Sequence, residues 1–403
     1  MNFTRTRIIL AVLLLAAAAA GGFAYFKYRS FSRYLADQIG GQAGKKLGRE
    51  VKFKSISFSP LKGVVIKEAC VSRRPDFSKG NFFCAEKTVI RPELGALLKN
   101  KLYFSRVAFD KPVLKVRERG GRWDFEDLLA MLPETDKGLY LTWNASELVM
   151  RSAVLEADLE TSGLSLALED ADISLSHFSS FGGNYGLEAE GLVSTVYKGK
   201  LVSARVKLDT DANFEYGGLS SAKGSLAAEK VSYGAITLER FSTDWTLFNL
   251  RKPLAEKNYT GTFSAAGLVI PGQENSARDG VSRGLELFSA AMGKPAPRIE
   301  DIEMSEFGAA FRLDNSVVSV KDLKLRTNFL NLDASLAIDG PSRTAQAALS
   351  AELGSNKLAM SASGPLNAPE LKPLLSATLS SKFKEALAGI EAGLLKVFPV
   401  TGE

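Results

Sequence analysis

From Val51 onward, apolar and polar residues alternate along much of this chain with a period of two. Successive side chains of a β-strand point to opposite faces, so this alternation predicts strands with one buried face and one exposed face. In three segments, the residues that share an apolar face are Val202, Ala204, Val206 and Leu208; Leu330, Leu332, Ala334, Leu336 and Ile338; and Leu358 and Met360. The chain is therefore predicted to be mainly β.

Turn-forming residues separate the predicted strands. Examples are Asp339-Gly340-Pro341 and Gly364-Pro365, which follow two of the alternating segments directly. This spacing of short strands and turns is typical of an antiparallel meander. With 403 residues, of which 45% are hydrophobic, the chain is long and apolar enough to form a sizeable core.

Three segments carry apolar residues at helical spacing instead, namely 123–132, 276–292 and 382–398. In the last of these, Phe383, Leu387, Ile390 and Leu394 form one stripe along a helix. We expect three short amphipathic helices that pack on the sheet.

The run from Ile8 to Phe26 is apolar and is flanked by arginine and lysine residues. At about 1.5 Å per residue, a helix of this length crosses a hydrocarbon core of about 30 Å. A cleaved signal peptide is the alternative, since Ala16–Ala20 and Gly21 offer a small-residue cleavage site. The aromatic residues that end the run favour an uncleaved transmembrane anchor. Beyond it, the basic run Lys45, Lys46, Arg49, Lys52 and Lys54 is either a site for anionic head groups or a solvated face.

The chain has two cysteines, Cys70 and Cys84, in neighbouring segments that read as successive strands. They either form a disulfide across a hairpin or remain two buried thiols. Two cysteines and one histidine do not complete a zinc site, so we expect no metal.

No recognised catalytic pattern occurs in the sequence. The single histidine, His177, has no metal-ligand partner at a suitable spacing, and the nucleophile-elbow and P-loop patterns are missing. Adjacent acidic pairs such as Glu126-Asp127 are read as solvated carboxylates rather than as an acid and a base. The net charge of +6 lacks the aromatic-basic array of a nucleic-acid surface. We therefore expect a protein that is not an enzyme, needs no cofactor and binds no nucleic acid.

Between Gly48 and Leu129, and again between Phe311 and Pro369, the order of short motifs resembles that of the AsmA-like family. The matching segments are GREV (48–51), FSPLKG (58–63), PDF (75–77), CAE (84–86), LGALL (94–98), KPVL (111–114), GRWDFEDL (121–128), VVSVKDLKLRTNFLNLDASLAIDG (317–340) and SGPLNAPE (363–370). Asp124 stands where the family usually has asparagine. The segment between these regions is β-rich without a specific signature.

The resemblance implies a single-pass inner-membrane protein, anchored by residues 8–26, with its body in the periplasm. It also implies an elongated antiparallel β-groove related to bridge-like lipid-transfer proteins, with phospholipid as the ligand and a role in outer-membrane biogenesis. The eleven apolar residues above are then candidates for the groove lining. Periodicity does not distinguish such a groove from the core of a β-sandwich.

The expected segments are an anchor (1–30), a helix with short strands (31–132), a β-rich middle (133–294), a second β region (295–378) and a C-terminal amphipathic helix (379–403). Without lipid binding, the same body would serve as a scaffold for the assembly of outer-membrane proteins.

Overall fold

The computed structural model describes residues 47–59, 63–92, 104–129, 145–177, 183–197, 199–215, 218–272, 286, 289, 295, 300–354 and 356–372. Strands hold 78% of the structure, which confirms the prediction of a mainly β protein. Within these ranges, we find no helix with the length and hydropathy of a membrane span. The predicted anchor (8–26) and the predicted C-terminal helix (382–398) lie outside the described residues.

The chain forms two compact units. Unit 1 comprises Met1–Leu132, Thr142–Gly163 and Glu169–Ser174, and unit 2 comprises Pro133–Leu141, Leu164–Leu168 and Leu175–Glu403. The elements described in unit 1 are β1 (Val51–Lys52), β2 (Ser55–Ser59), β3 (Gly63–Ser72), a 3₁₀ turn (Phe77–Lys79), β4 (Asn81–Pro92), β5 (Phe104–Asp110), β6 (Val113–Arg119), β7 (Arg122–Trp123), α1 (Glu126–Leu129) and β8 (Ala145–Leu159). The residues of β9 (Leu164–His177) are divided between the two units.

Unit 1 departs from the predicted antiparallel meander. Strand β3 pairs antiparallel with β1, β2 and β4, but β5 and β6 both pair parallel with β8. Lys111 and Pro112 separate β5 from β6, and Lys111 has a φ of 49°. Because proline has no N–H to donate to a ladder, the two strands act as the halves of one interrupted strand. The expectation that all strands are antiparallel is wrong for this unit.

Cys70 on β3 lies directly opposite Cys84 on β4, and their sulfur atoms form a disulfide. Fourteen positions separate the two cysteines in the sequence. The bond therefore joins two strands that the hydrogen-bonded ladder already holds side by side.

In unit 2, consecutive strands pair antiparallel from β10 to β20, as the alternation predicts. These strands are β10 (Gly183–Tyr197), β11 (Lys200–Glu215), β12 (Gly218–Tyr233), β13 (Ile236–Phe248), β14 (Asn258–Ile270), β15 (Ile302–Asp314), β16 (Val317–Thr327), β17 (Leu330–Asp339), β18 (Thr344–Leu353), β19 (Asn356–Pro365) and β20 (Glu370–Lys372). A 3₁₀ turn (Leu254–Glu256) lies between β13 and β14.

The helix predicted over 123–132 begins later than expected. Trp123 belongs to β7, and the described part of helix α1 spans Glu126–Leu129, while residues 130–132 lie outside the described residues. The Glu126 carboxylate accepts the Trp123 N–H at 2.9 Å, which holds the turn between β7 and α1. Of the helix predicted over 276–292, the structure describes Glu286 and Ser289, both in helical conformation.

Strand β16 contains a bulge at Asp322, whose φ is 51°. The register shifts there against both neighbouring strands, so that Val320 lies opposite Leu336 while Leu323 lies opposite Ala334. A bulge inserts one extra residue into a strand. Val320 and Leu323 therefore face the same side of the sheet although three positions separate them.

The basic run near the start of unit 1 is not a single surface. Arg49 is buried, at 3% exposure, whereas Lys52 and Lys54 form exposed ion pairs with Glu50 and Glu68. Lys45 and Lys46 lie outside the described residues. The head-group reading of this run is therefore wrong for Arg49, whose charge is turned inward.

Candidate functional site

One face of the unit 2 sheet is apolar across ten consecutive strands. Its central row consists of residues that lie directly opposite one another from β10 to β19: Gly191, Val206, Ala228, Phe241, Ala265, Phe307, Leu325, Leu332, Ala351 and Leu358. Since neighbouring strands lie about 4.8 Å apart, this row extends over about 43 Å.

Two further rows run beside the central one on the same face. The first is Leu187, Thr210, Gly224, Trp245, Gly261, Phe311, Val320, Leu336, Ala347 and Ala362, and the second is Tyr185, Ala212, Ala222, Leu247, Tyr259, Leu313, Val318, Ile338, Ala345 and Gly364. We call these three rows the apolar face.

The opposite face of the same sheet is polar along its middle. Arg326 and Asp333 form an ion pair at 2.5 Å across β16 and β17, and Arg205 lies 3.8 Å from Glu190 across β10 and β11. Between these pairs, the hydroxyl groups of Ser242 and Ser264 are 2.7 Å apart. This side also carries exposed apolar residues, namely Leu192, Leu201 and Phe248, at 38%, 58% and 53% exposure. The sheet is thus amphipathic along its middle, with hydrocarbon on the first face and mainly charged and hydroxyl side chains on the second, which we call the polar face.

Most large side chains of the apolar face are half-buried rather than buried, among them Val206, Phe241, Phe307 and Leu332. A second sheet packed on this face would close it to water, as in a β-sandwich core. Full burial is reached mainly in the C-terminal strands, where Leu330, Ala351 and Leu353 form one cluster and Ile338, Ala345 and Leu366 form another. The larger part of this face is therefore less completely buried than a packed sandwich core.

Small residues flank the large aromatic side chains of the face. Trp245 lies between Gly224 and Gly261 on the neighbouring strands, and Phe241 lies between Ala228 and Ala265. A Cβ atom added at Gly261 would collide with the carbonyl oxygen of Asp244 and would lie 2.6 Å from the ring of Phe311. Glycine at position 261 therefore leaves room for both the neighbouring backbone and the Phe311 ring.

Five of the eleven predicted groove residues lie in these rows, namely Val206, Leu332, Leu336, Ile338 and Leu358, and the other six share the same side of their strands. Leu330, Ile338 and Met360 are buried, at 7%, 4% and 9% exposure. The other eight are half-buried: Val202, Ala204, Val206, Leu208, Leu332, Ala334, Leu336 and Leu358. Segments that lie far apart in the sequence thus contribute to one continuous surface.

Sequence reasoning missed the aromatic residues of the face, of which Phe241, Trp245 and Phe307 are the largest contributors near its middle. The clue was present in the alternation of Phe241, Thr243, Trp245 and Leu247. The period is broken just before Phe241, because Leu238 shares the face at a spacing of three. A strict period of two therefore assigns one half of β13 to the wrong side.

The side chains of the apolar face are almost all hydrocarbon and do not form a catalytic arrangement. His177 is the last residue of β9. Across the residues that the structure describes, no group of three or more histidine, cysteine, aspartate or glutamate side chains is arranged to hold a metal ion.

This chain matches no family model, and no curated protein matches it.

Proposed function

We propose that this chain is a non-enzymatic protein of the cell envelope that binds phospholipid acyl chains on the apolar face of unit 2. The observation that carries the proposal is the continuous apolar surface of ten strands whose large side chains stay half-buried. An anchor at residues 8–26 would hold the protein in the inner membrane as a single-pass protein with its body in the periplasm. The resemblance to AsmA-like proteins supports the same assignment.

The physical basis is the transfer of hydrocarbon out of water. Each methylene group covered on binding is worth about 0.8 kcal/mol, so an acyl chain laid along the central row gains several kcal/mol. Ala228, Ala265 and Ala351 interrupt that row with small side chains and leave room for the chain. On the polar face, charged and hydroxyl groups such as Arg326 with Asp333 and Ser242 with Ser264 are paired with one another.

The test is photo-crosslinking of the full-length chain in its native membrane. A photoreactive amino acid replaces Leu332 on the apolar face, and a matched variant carries it at the adjacent Asp333 on the polar face. We expect phospholipid adducts, identified by mass spectrometry, from position 332 and none from position 333. The absence of lipid adducts from Leu332, Phe241 and Val206 alike would exclude the proposal.

The alternative function is a scaffold for outer-membrane protein assembly that binds no lipid. One observation favours it: β20 pairs only with Ser361–Ser363, so residues 356–360 of β19 have no partner on that side among the described strands. Exposed strand edges accept added strands from other proteins. Protein adducts from a photoreactive residue at Ala359, together with no lipid adducts from Leu332, would favour the scaffold.

A further inference from the structure

Unit 1 contains a cavity of about 700 Å³ lined by an unusual number of cations. They come from the segment after β3, from β6 and from β7: Arg73, Arg74, Lys79, Arg117, Arg119 and Arg122. Three carboxylates, those of Asp124, Glu126 and Asp127, share the lining, so that the cavity has an excess of three positive charges. Its volume is within the range of small-ligand sites.

The carboxylates of the cavity are already engaged. Asp124 accepts a hydrogen bond from Arg73 Nη1 at 2.5 Å and another from the Arg117 N–H at 3.0 Å. Glu126 accepts the Trp123 N–H. Asp127 binds Arg49 and lies 3.2 Å from Arg74 Nε. Their negative charge therefore holds the scaffold of the cavity in place and is not free to neutralise the other cations.

The remaining cations are weakly compensated. Arg117 lies 4.0 Å from Asp158, and Arg119 lies 3.4 Å from Glu160 in a pair that is about two-thirds exposed. Exposed pairs of this kind contribute little and compete poorly with a ligand. Among the described residues, neither Lys79 nor Arg122 forms an ion pair with a carboxylate, although the charges of Lys79 and Asp76 act on one another.

The arginines of the cavity repel one another at Arg73. Burial lowers the pKa of the Arg73 guanidinium below its ordinary value, Asp124 opposes this shift, and the charges of Arg117, Arg119 and Arg49 lower the pKa further. An anion bound among these groups would relieve that repulsion. Trp123 adds an apolar wall beside them.

We propose that this cavity binds a phosphate-bearing anion with at least two negative charges. The planar guanidinium group donates paired hydrogen bonds that match the oxygen atoms of phosphate, which makes arginine clusters typical phosphate sites. The phosphate belongs either to a soluble ligand or to a lipid head group, and both sources share this chemistry. The inference is independent of the proposed lipid site, since the cavity is in unit 1 and the apolar face is in unit 2.

The test is a binding titration of the full chain in detergent micelles with three probes, namely pyrophosphate, dioctanoyl phosphatidic acid and dioctanoyl phosphatidylcholine. We expect pyrophosphate, phosphatidic acid or both to bind saturably. This binding should weaken as salt is added. Pyrophosphate alone would identify a soluble ligand, and phosphatidic acid alone a head group. Phosphatidylcholine measures the acyl-chain binding that we expect at the apolar face. Binding of neither pyrophosphate nor phosphatidic acid above this background would overturn the proposal.

Variants make the assignment specific to the cavity. Arg122→Gln and Lys79→Gln remove exposed cations that form no ion pair among the described residues, so both proteins should keep the melting temperature of the unmodified chain. Each should weaken binding about tenfold or more, which is the effect of one lost charge-assisted hydrogen bond. Lys321→Gln removes an exposed charge on β16 in unit 2 as the matched control. An equal loss in the Lys321→Gln protein would show nonspecific attraction and would overturn the site.

Discussion

The guanidinium of Arg49 binds the carboxylate of Asp127, with Nη2 2.6 Å from Oδ1 and Nε 3.0 Å from Oδ2, across a sequence separation of 78 residues. The Arg49 side chain is fully buried, and Asp127 is 12% exposed. Arg49 also lies over the ring of Phe82, 4.4 Å from its centroid. This pair joins the beginning of the described chain to α1 and supports the wall of the cationic cavity.

Asp127→Ala should destabilise unit 1 by about 3 kcal/mol or more, because it leaves the buried charge of Arg49 without its partner. Urea denaturation of the full chain measures this change. The double variant Arg49→Met, Asp127→Ala should recover part of the loss, since it removes both charges.

The matched control is Lys54→Met. Lys54 and Glu68 form an ion pair at 2.6 Å whose side chains are 67% and 56% exposed. Loss of an exposed pair costs less than about 1 kcal/mol. Similar costs for Lys54→Met and Asp127→Ala would contradict the role assigned to the buried pair.

The same pair predicts how stability depends on pH. Burial raises the pKa of the Asp127 carboxyl. The hydrogen bonds from Arg49 and the charges of Arg49 and Arg74 lower this pKa by more than burial raises it, so the net pKa is below the ordinary 3.8. A carboxyl with a lowered pKa in the folded state stabilises the protein above its unfolded pKa. That contribution is lost as the pH falls below 3.8 and through the lower folded value.

Denaturation curves collected between about pH 5 and pH 2 measure this dependence. As the pH falls, the free energy of unfolding should decrease more steeply for the unmodified chain than for the Asp127→Asn protein, because the titrating group is missing from the variant. Parallel pH profiles for the two proteins would show that Asp127 does not contribute to the acid response.

Removal of the disulfide should destabilise unit 1. Replacement of Cys70 and Cys84 by serine opens a covalent loop of about 15 residues, which costs roughly 3 kcal/mol by the loop-closure argument. The measurement is the denaturation midpoint with and without a reducing agent. Reductant should lower the midpoint of the unmodified chain and leave that of the double serine variant unchanged, and an equal response of both would refute the prediction.

The bulge at Asp322 gives a prediction about backbone conformation. Its φ of 51° lies in the left-handed region, which glycine adopts without strain and β-branched residues adopt poorly. Asp322→Gly should therefore leave stability unchanged or slightly higher, while Asp322→Val should cost about 1–2 kcal/mol.

Deletion of Asp322 is the sharper test of the same bulge. It would return β16 to a regular alternation in which Val320 and Leu323 are two positions apart, so Leu323 and Leu325 stay on the apolar face. We therefore expect unit 2 to keep its cooperative unfolding. Loss of a cooperative melting curve in the deletion variant would show that the extra residue is needed to align β16 with its neighbours.

Local patterns in the sequence determined the strands that build the apolar face. The alternation in β11, β17 and β19 is sufficient to place Val206, Leu332 and Leu358 on apolar sides, because the period of two follows from strand geometry alone. The strands in the middle of unit 2 are 13 to 16 residues long, and their alternation is likewise regular enough to be recognised as β from the sequence.

Tertiary structure decided the features that depend on which strands meet. The parallel pairing of β5 and β6 with β8 and the meeting of Arg49 with Asp127 join segments that are distant in the sequence, and no local period encodes such pairs. The cationic cavity could not be predicted from the sequence for the same reason. Arg73 follows β3 and Arg122 lies on β7, and only the folded chain brings the two residues to one cavity. The sequence by itself thus determined the amphipathic strands, because side-chain alternation is local, and only the tertiary structure decided their partners and the charged site, because register and ion pairing depend on long-range contacts.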